Sequence, residues 1–195
     1  MQTTNTISRF GRRVFTTCLL LTGLVVSAGG SKPLGEYQVK SVFLFNFTKF
    51  VSWPTNAEPS TNSPFVIGIV GEDAFGNVLD DAVRGEAVQN HPIVIQRFHS
   101  GEAIGNCHIL FISRSEKDRL NQVLAQVRGR PTLTVADAPR AAERGVMINL
   151  LLVQGSVKIE INQSAVESAR LSVSSKLLNL ARIVNSETDN PPANP

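Results

Sequence analysis

Chemistry needs particular side chains at particular spacings, and several stretches of this 195-residue chain offer partial candidates. Gly71-Glu72-Asp73-Ala74-Phe75-Gly76 follows an apolar run and precedes a helical one, which is the setting of a phosphate-binding loop. A Walker loop would continue with Lys and then Ser or Thr, but Asn77-Val78 stand there. The spacing also misses G-x-G-x-x-G, and Glu72 and Asp73 would repel a phosphate. The histidines are His91, His99 and His108, none with a partner at metal-ligand spacing. Cys107 and His108 are neighbours on a β run, so their side chains point to opposite faces and cannot share an ion. Ser172-Val173-Ser174-Ser175-Lys176 approaches an S-x-x-K pair, but Val173 occupies the position three before Lys176. Ser172, four before it, reads as a surface neighbour on a helix. No G-x-S-x-G elbow occurs. These readings assign no catalytic residue, no metal and no cofactor, and the chain is expected not to be an enzyme.

The elements that would position any site follow from periodicity. Val39, Phe43, Phe47 and Phe50 fall on one stripe of a helix starting near Gly35, widened by Leu44 and Val51. Pro54 closes this segment, and Thr55 to Ser63 is a polar loop. Phe65–Val70, Pro92–Phe98, Asn106–Ile112 and Thr132–Val135 read as strands. A short helix is expected around Phe75–Val83. A second, capped by Ser115, runs through Val127 with Leu120, Val123, Leu124 and Val127 inward. Asp137 is expected to cap a further turn or two ending at Gly145. Val146–Val153 and Ser156–Ile161 flank Gln154-Gly155, a hairpin signal. Asn162 is placed to cap a last helix reaching about Val184. The pattern implies an α/β fold: a single three-layer domain over residues 34–184, with a mixed, mostly parallel sheet, a C-terminal β-hairpin and flanking helices. The tail 185–195 is polar, proline-rich and expected to be disordered.

The formal charge of +3 comes from the start of the chain. Residues 1–28 hold Arg9, Arg12 and Arg13 and no acid; taking these three from 19 basic residues leaves 16 against 16 acidic ones. The same segment reads as a signal peptide: basic start, apolar Val14–Val26, then Ser27-Ala28, with cleavage expected after Ala28. Its apolar run is short of the ~20 residues of a spanning helix. Arg12-Arg13-x-Phe15 also partly matches a twin-arginine signal, though ordinary secretion fits better. The remaining chain is neutral with scattered cations, which excludes nucleic acid as a partner. It keeps one cysteine, Cys107, inside an apolar run, where a reduced core thiol is expected.

Surface chemistry remains. Tyr37, Phe43, Phe45, Phe47, Phe50 and Trp53 are six of the ten aromatics beyond residue 28. At 100° per residue Phe45 points away from the Phe43/Phe47 stripe. Phe45, Trp53 and Arg114 are the candidate partner contacts, with burial inside the fold as the competing reading for the two aromatics. Asn149 and Asn162 are expected to cap or pair backbone.

Seven segments, in order, resemble the YfiR family: KSVFLFNFTKFVSWP (Lys40–Pro54), FVIGIVGEDAFG (Phe65–Gly76), CHILFISRSE (Cys107–Glu116), LTVAD (Leu133–Asp137), GVMIN (Gly145–Asn149), VKIEIN (Val157–Asn162) and LSVSSKLLNLA (Leu171–Ala181). The resemblance implies a periplasmic repressor that binds the periplasmic sensor domain of an inner-membrane diguanylate cyclase and lowers cyclic-di-GMP. It implies sequestration by an OmpA-like outer-membrane lipoprotein, and homodimers and small-ligand sensing are associated with the family. Family members often carry disulfide-forming cysteines, whereas this chain offers only Cys107 after residue 28. The Gly-Gly common before Met147 is Gly145-Val146 here. The alternative to a cyclase repressor is a periplasmic small-ligand sensor feeding another envelope signalling protein, suggested by the open carboxyl end of the sheet.

Overall fold

The computed structural model describes residues 34–55, 59 and 63–185, so the expected signal peptide and all but the first residue of the expected tail lie outside the described residues. Strand β2 (Phe65–Val70) shows how the layers arise. All six of its residues are buried, and they alternate. Phe65, Ile67 and Ile69 enter one apolar core, and Val66 and Val70 enter another on the opposite face. A strand buried on both sides needs helices on both sides.

The first core is covered by α1 (Leu34–Phe50), α2 (Asn77–Val83), α4 (Gln163–Ser168) and α5 (Ser175–Leu178), and the second by α3 (Leu120–Val127). The sheet has eight strands in the order β10-β8-β7-β6-β5-β2-β4-β3. These are β3 (Ala87–Val88), β4 (His91–Phe98), β5 (Ile109–Ile112), β6 (Leu133–Ala136), β7 (Ile148–Val153), β8 (Ser156–Asn162) and β10 (Arg182–Val184), with β2 between β5 and β4. β4, β2, β5, β6 and β7 run parallel; β8 turns back on β7, and β10 runs parallel to β8. This is the three-layer α/β arrangement with a mixed, mostly parallel sheet that the residue pattern implies. Gln154 and Gly155 at the β7–β8 turn have φ of 48° and 76°, as a two-residue hairpin with both central residues left-handed requires.

Four expectations are corrected. The C-terminal segment is not one helix to Val184. Arg170 takes a φ of 60°, and the Leu171 N–H returns to the Val166 carbonyl, which ends α4. Strand pairing then wins over helical period. β9 (Ser172–Val173) pairs antiparallel with β1 (Val51–Ser52), Ser174 caps α5, and β10 adds to the sheet edge. This also removes the helical Ser172–Lys176 neighbours, since Ser172 is on a strand. Ser115 does not cap α3. Its Oγ accepts the Glu72 N–H at 2.9 Å, and α3 starts later, with no side-chain cap at Arg119. Asp137 caps no helix, because residues 138–145 form turns and its carboxylate is engaged elsewhere. Asn162 caps α4 as expected, accepting the Ala165 N–H at 3.0 Å.

Gly68 in β2 lies under the second core. A Cβ there would sit 3.0 Å from the Phe98 ring, 3.2 Å from Leu110 and 3.4 Å from the Cys107 sulfur. Gly68→Val should therefore overpack the sheet and cost about 1–3 kcal/mol, read as a lower urea midpoint at unchanged slope, with Gly68→Ala closer to wild type.

Candidate functional site

The amino-terminal half of α1 carries charge into the interior. Lys40 is fully buried, and its Nζ lies 2.5 Å from Glu36 Oε1 and 2.8 Å from Asp137 Oδ2. Asp137 directly follows β6, so this contact ties α1 to the carboxyl end of the sheet. Tyr37 donates from its hydroxyl to the same Asp137 Oδ2 at 2.7 Å, and its ring lies 4.7 Å from the Lys40 ammonium. Burial first, then the bond to Asp137 and the adjacent carboxylates, push the Tyr37 phenol well above its usual range and keep it a donor. Edge-to-face contacts from Tyr37 to Phe75 and from Phe75 to Phe111 carry the anchor into the first core.

This anchor corrects the expected helix face. The buried residues are Glu36, Tyr37, Lys40, Ser41, Leu44, Phe47 and Thr48, followed by Val51. The face is turned by about 100°, one residue, from the Val39/Phe43/Phe47/Phe50 stripe. Val39 and Val42 point outward, 44% and 53% exposed, and Phe43 and Phe50 are half-buried at the margin. A hydrophobicity reading places Lys40 outside; its two carboxylate partners place it inside.

Arg114 covers this cluster. Its side chain is 50% exposed, Nε donates to the Asp137 carbonyl at 3.1 Å, and Nη2 lies 3.9 Å from both Glu36 Oε1 and Asp137 Oδ2. A polar seam continues inward. Asn149 donates to the Ala138 carbonyl at 2.9 Å and to Glu160 at 3.0 Å, and Glu160 pairs with the exposed Arg182. The seam therefore ends in a guanidinium at the surface on each side, able to meet a carboxylate on another molecule.

Phe45 and Trp53 lie toward the other end of α1. Both are half-buried and pack against the first core. Lys49 lies 4.2 Å over the Phe45 ring. Trp53 meets Phe65 edge-on and donates to the His108 carbonyl at 3.3 Å. With Lys49, Val88 and His108, Trp53 lines a cavity of about 230 Å³. The structure thus groups Phe45 and Trp53 around Lys49 and leaves Arg114 at the opposite end of the helix. The residues that sequence reasoning missed are Glu36, Lys40 and Asp137. The i, i+4 spacing of Glu36 and Lys40 was visible, but Asp137 is 97 residues away.

The other chemical candidates resolve simply. In the Gly71–Gly76 turn, Asp73 Oδ1 accepts the Phe75 and Gly76 N–H groups at 2.8 and 3.2 Å, so a carboxylate of the chain itself holds donors that a phosphate would need. Cys107 packs in the second core, where burial pushes its thiol up to about 12 and suppresses the thiolate. His108 faces the other way, stacked on Phe65, and its Nδ1 accepts the Val66 N–H at 3.0 Å. Among the described residues, no group of three or more His, Cys, Asp or Glu could hold a metal ion.

The sequence matches the family described as YfiR/HmsC-like over residues 37–182, a span that holds Tyr37, Lys40 and Asp137, the parallel strands β4, β2, β5, β6 and β7, and the polar seam. No curated protein matches the chain.

Two measurements check the site's construction. Lys40→Met leaves Asp137 buried beside no ammonium and should cost about 3–5 kcal/mol, whereas Lys40→Met with Asp137→Leu should recover part of that loss in a double-mutant cycle. Burial lowers the His108 pKa below its ordinary value, and the neutral Nδ1 accepts the Val66 N–H, a bond that a ring protonated there would lose. The unfolded chain therefore takes up that proton first. The contribution of His108 is complete above about pH 6.5 and is lost as pH falls toward the lowered folded value. Urea midpoints at pH 7.5 and 5 should show a smaller loss for His108→Asn, whose carbonyl can still accept from Val66.

Proposed function

Because this chain belongs to the YfiR/HmsC-like family, we propose that it is an exported regulatory binding protein rather than an enzyme. In this reading it works in the periplasm and docks on the periplasmic sensor domain of an inner-membrane diguanylate cyclase. Docking holds the cyclase in its low-output state and lowers cyclic-di-GMP. An OmpA-like outer-membrane lipoprotein competes by sequestering the regulator.

The observation that carries the reading is the outward face of α1. Val39 and Val42 stand exposed on a helix whose other face is fixed by a buried ion cluster. Apolar side chains on a rigid helix lose little conformational freedom when a partner covers them, so the cost of ordering them on binding is small. Arg114 adds a half-exposed cation near the amino-terminal end of the same helix. Moving a cyclase from 1:99 to 99:1 in favour of the inactive state takes about 5.5 kcal/mol of preferential binding, to which Arg114, a residue type enriched among interface hot spots, can contribute beside the two valines.

Deleting the gene should raise cellular cyclic-di-GMP and biofilm matrix, and the wild-type gene should restore both. Val42→Asp, which changes an exposed position, should fold with an unchanged melting temperature yet fail to restore repression. Full repression by a folded Val39→Asp/Val42→Asp protein would remove α1's outer face as the docking surface.

A further inference from the structure

A cavity lies at the opposite end of the sheet from Arg114, where strand pairing is incomplete. β6 begins at Leu133, but β7 reaches it only at Val135↔Ile148 and Ala136↔Asn149. Beside the first half of β6 the chain takes another route. The Met147 N–H donates to the Thr134 hydroxyl at 3.1 Å instead of joining a ladder. The gap opens a cavity of about 460 Å³. α3 supplies Leu124 and Val127 from one layer, and α4 with the residue that follows it supplies Ala165 and Ala169 from the other, so the cavity touches both helical layers.

Its electrostatics are one-sided. Arg128, Arg130 and Arg144 line it, against a single carboxylate, Glu143. Glu143 is held at 2.7 Å by Arg140, outside the lining. Arg130 donates to the carbonyls of Ile104 and Gly105 at 3.1 and 3.4 Å, and Arg144 to the carbonyl of Lys117 at 2.8 Å. These bonds orient the guanidiniums without neutralising them. Arg128 is exposed and, among the described residues, has no carboxylate partner. The rim is also tied down. Asn162, which caps α4, donates to the Ala142 carbonyl at 2.7 Å and so joins α4 to the turns leading into Gly145.

We propose that this gap between β6 and β7 is a binding site for a small organic anion, with a carboxylate or phosphate head met by Arg128, Arg130 and Arg144 and an apolar body lying on Leu124, Val127 and Ala169. The volume falls within the range of small-molecule sites, and an apolar wall with a few convergent polar groups is their usual composition. A bare inorganic anion would leave the wall uncovered, and a neutral apolar molecule would leave three cations unmatched. The site does not rest on the docking reading, because it shares no residue with α1's outer face.

The test is calorimetric binding and thermal shift on the whole exported domain, with phenyl phosphate, benzoate and octanoate as probes. Inorganic phosphate and benzamide serve as controls. At least one organic anion should bind saturably and raise the melting temperature, with each control at least tenfold weaker. Arg128→Gln should keep the unliganded melting temperature and weaken binding about tenfold, as loss of a charge-assisted contact does. Ala169→Leu should fill the apolar part and abolish binding. The proposal is overturned if none of the three anions binds, if benzamide or inorganic phosphate binds as tightly, or if Arg128→Gln binds like wild type. Loss of binding in these variants with cyclase repression intact separates this site from the docking face.

Discussion

Lys40 has no access to water, and its ammonium is held between Glu36 and Asp137. An ion in such a place is tolerated only when its partners are in contact, because removing one leaves an uncompensated charge in a medium that solvates it poorly. The orientation of α1 is therefore set by charge before it is set by apolar packing. With Lys40 inward, Leu44, Phe47 and Val51 follow on the same face, and Val39 and Val42 are left outside. The helix has more apolar residues than one face can bury, and the ion cluster decides which ones face solvent. A face chosen in this way is fixed in position, which an interface needs and which apolar packing alone would leave open to rotation.

The second organising feature is the meeting of β6 and β7. The sheet is parallel from β4 to β7 and reverses at the hairpin. At the carboxyl end of β6 the ladder is closed and lined by Asp137, Asn149 and Glu160. At its amino end the ladder is missing, and Thr134 takes the Met147 N–H through its side chain. One strand pair thus produces a buried polar seam at one end and an open gap at the other.

Much of the fold was legible because the residues concerned act locally. The run Phe65–Val70 is apolar at every position, which states burial on both faces. Gln154-Gly155 allows the two left-handed residues of a tight hairpin, and Asn162 stands where α4 needs an acceptor. The failures share a cause at a distance. Asp137 looks like a helix cap until Tyr37 and Lys40, about 100 residues earlier, claim its carboxylate. Ser172 and Val173 carry a helical period, yet β1 offers them an unpaired neighbour and takes them as a strand. Whether an aromatic such as Phe45 or Trp53 packs inward depends on neighbours such as Lys49 and Phe65 that no spacing reveals. Arg114 lies over a cluster whose members, Glu36, Lys40 and Asp137, come from two distant parts of the chain.

The two proposed surfaces are joined by continuous backbone pairing. From the cavity wall, α4 leads through Leu171 into β9, and β9 pairs with β1 at Val51↔Val173 and Ser52↔Ser172. The Ser174 N–H donates to the Phe50 carbonyl at 2.8 Å, so the segment following α4 grips the last residue of α1. At its other end α1 is held by Asp137, whose neighbour Ala138 is bound by Asn149 of β7, the strand that borders the gap. Both ends of α1 are thus fastened to elements that flank the cavity. Physical continuity of this kind transmits a preference only between two discrete arrangements, and α1 meets one requirement for that. Pinned at both ends, it can shift only as a unit. The fastening is made by main-chain hydrogen bonds, the buried Asn149 side chain and one buried ion cluster, not by the side chains at either surface. Changes at Val42 or at Arg128 therefore alter what each surface binds without loosening the connection between them.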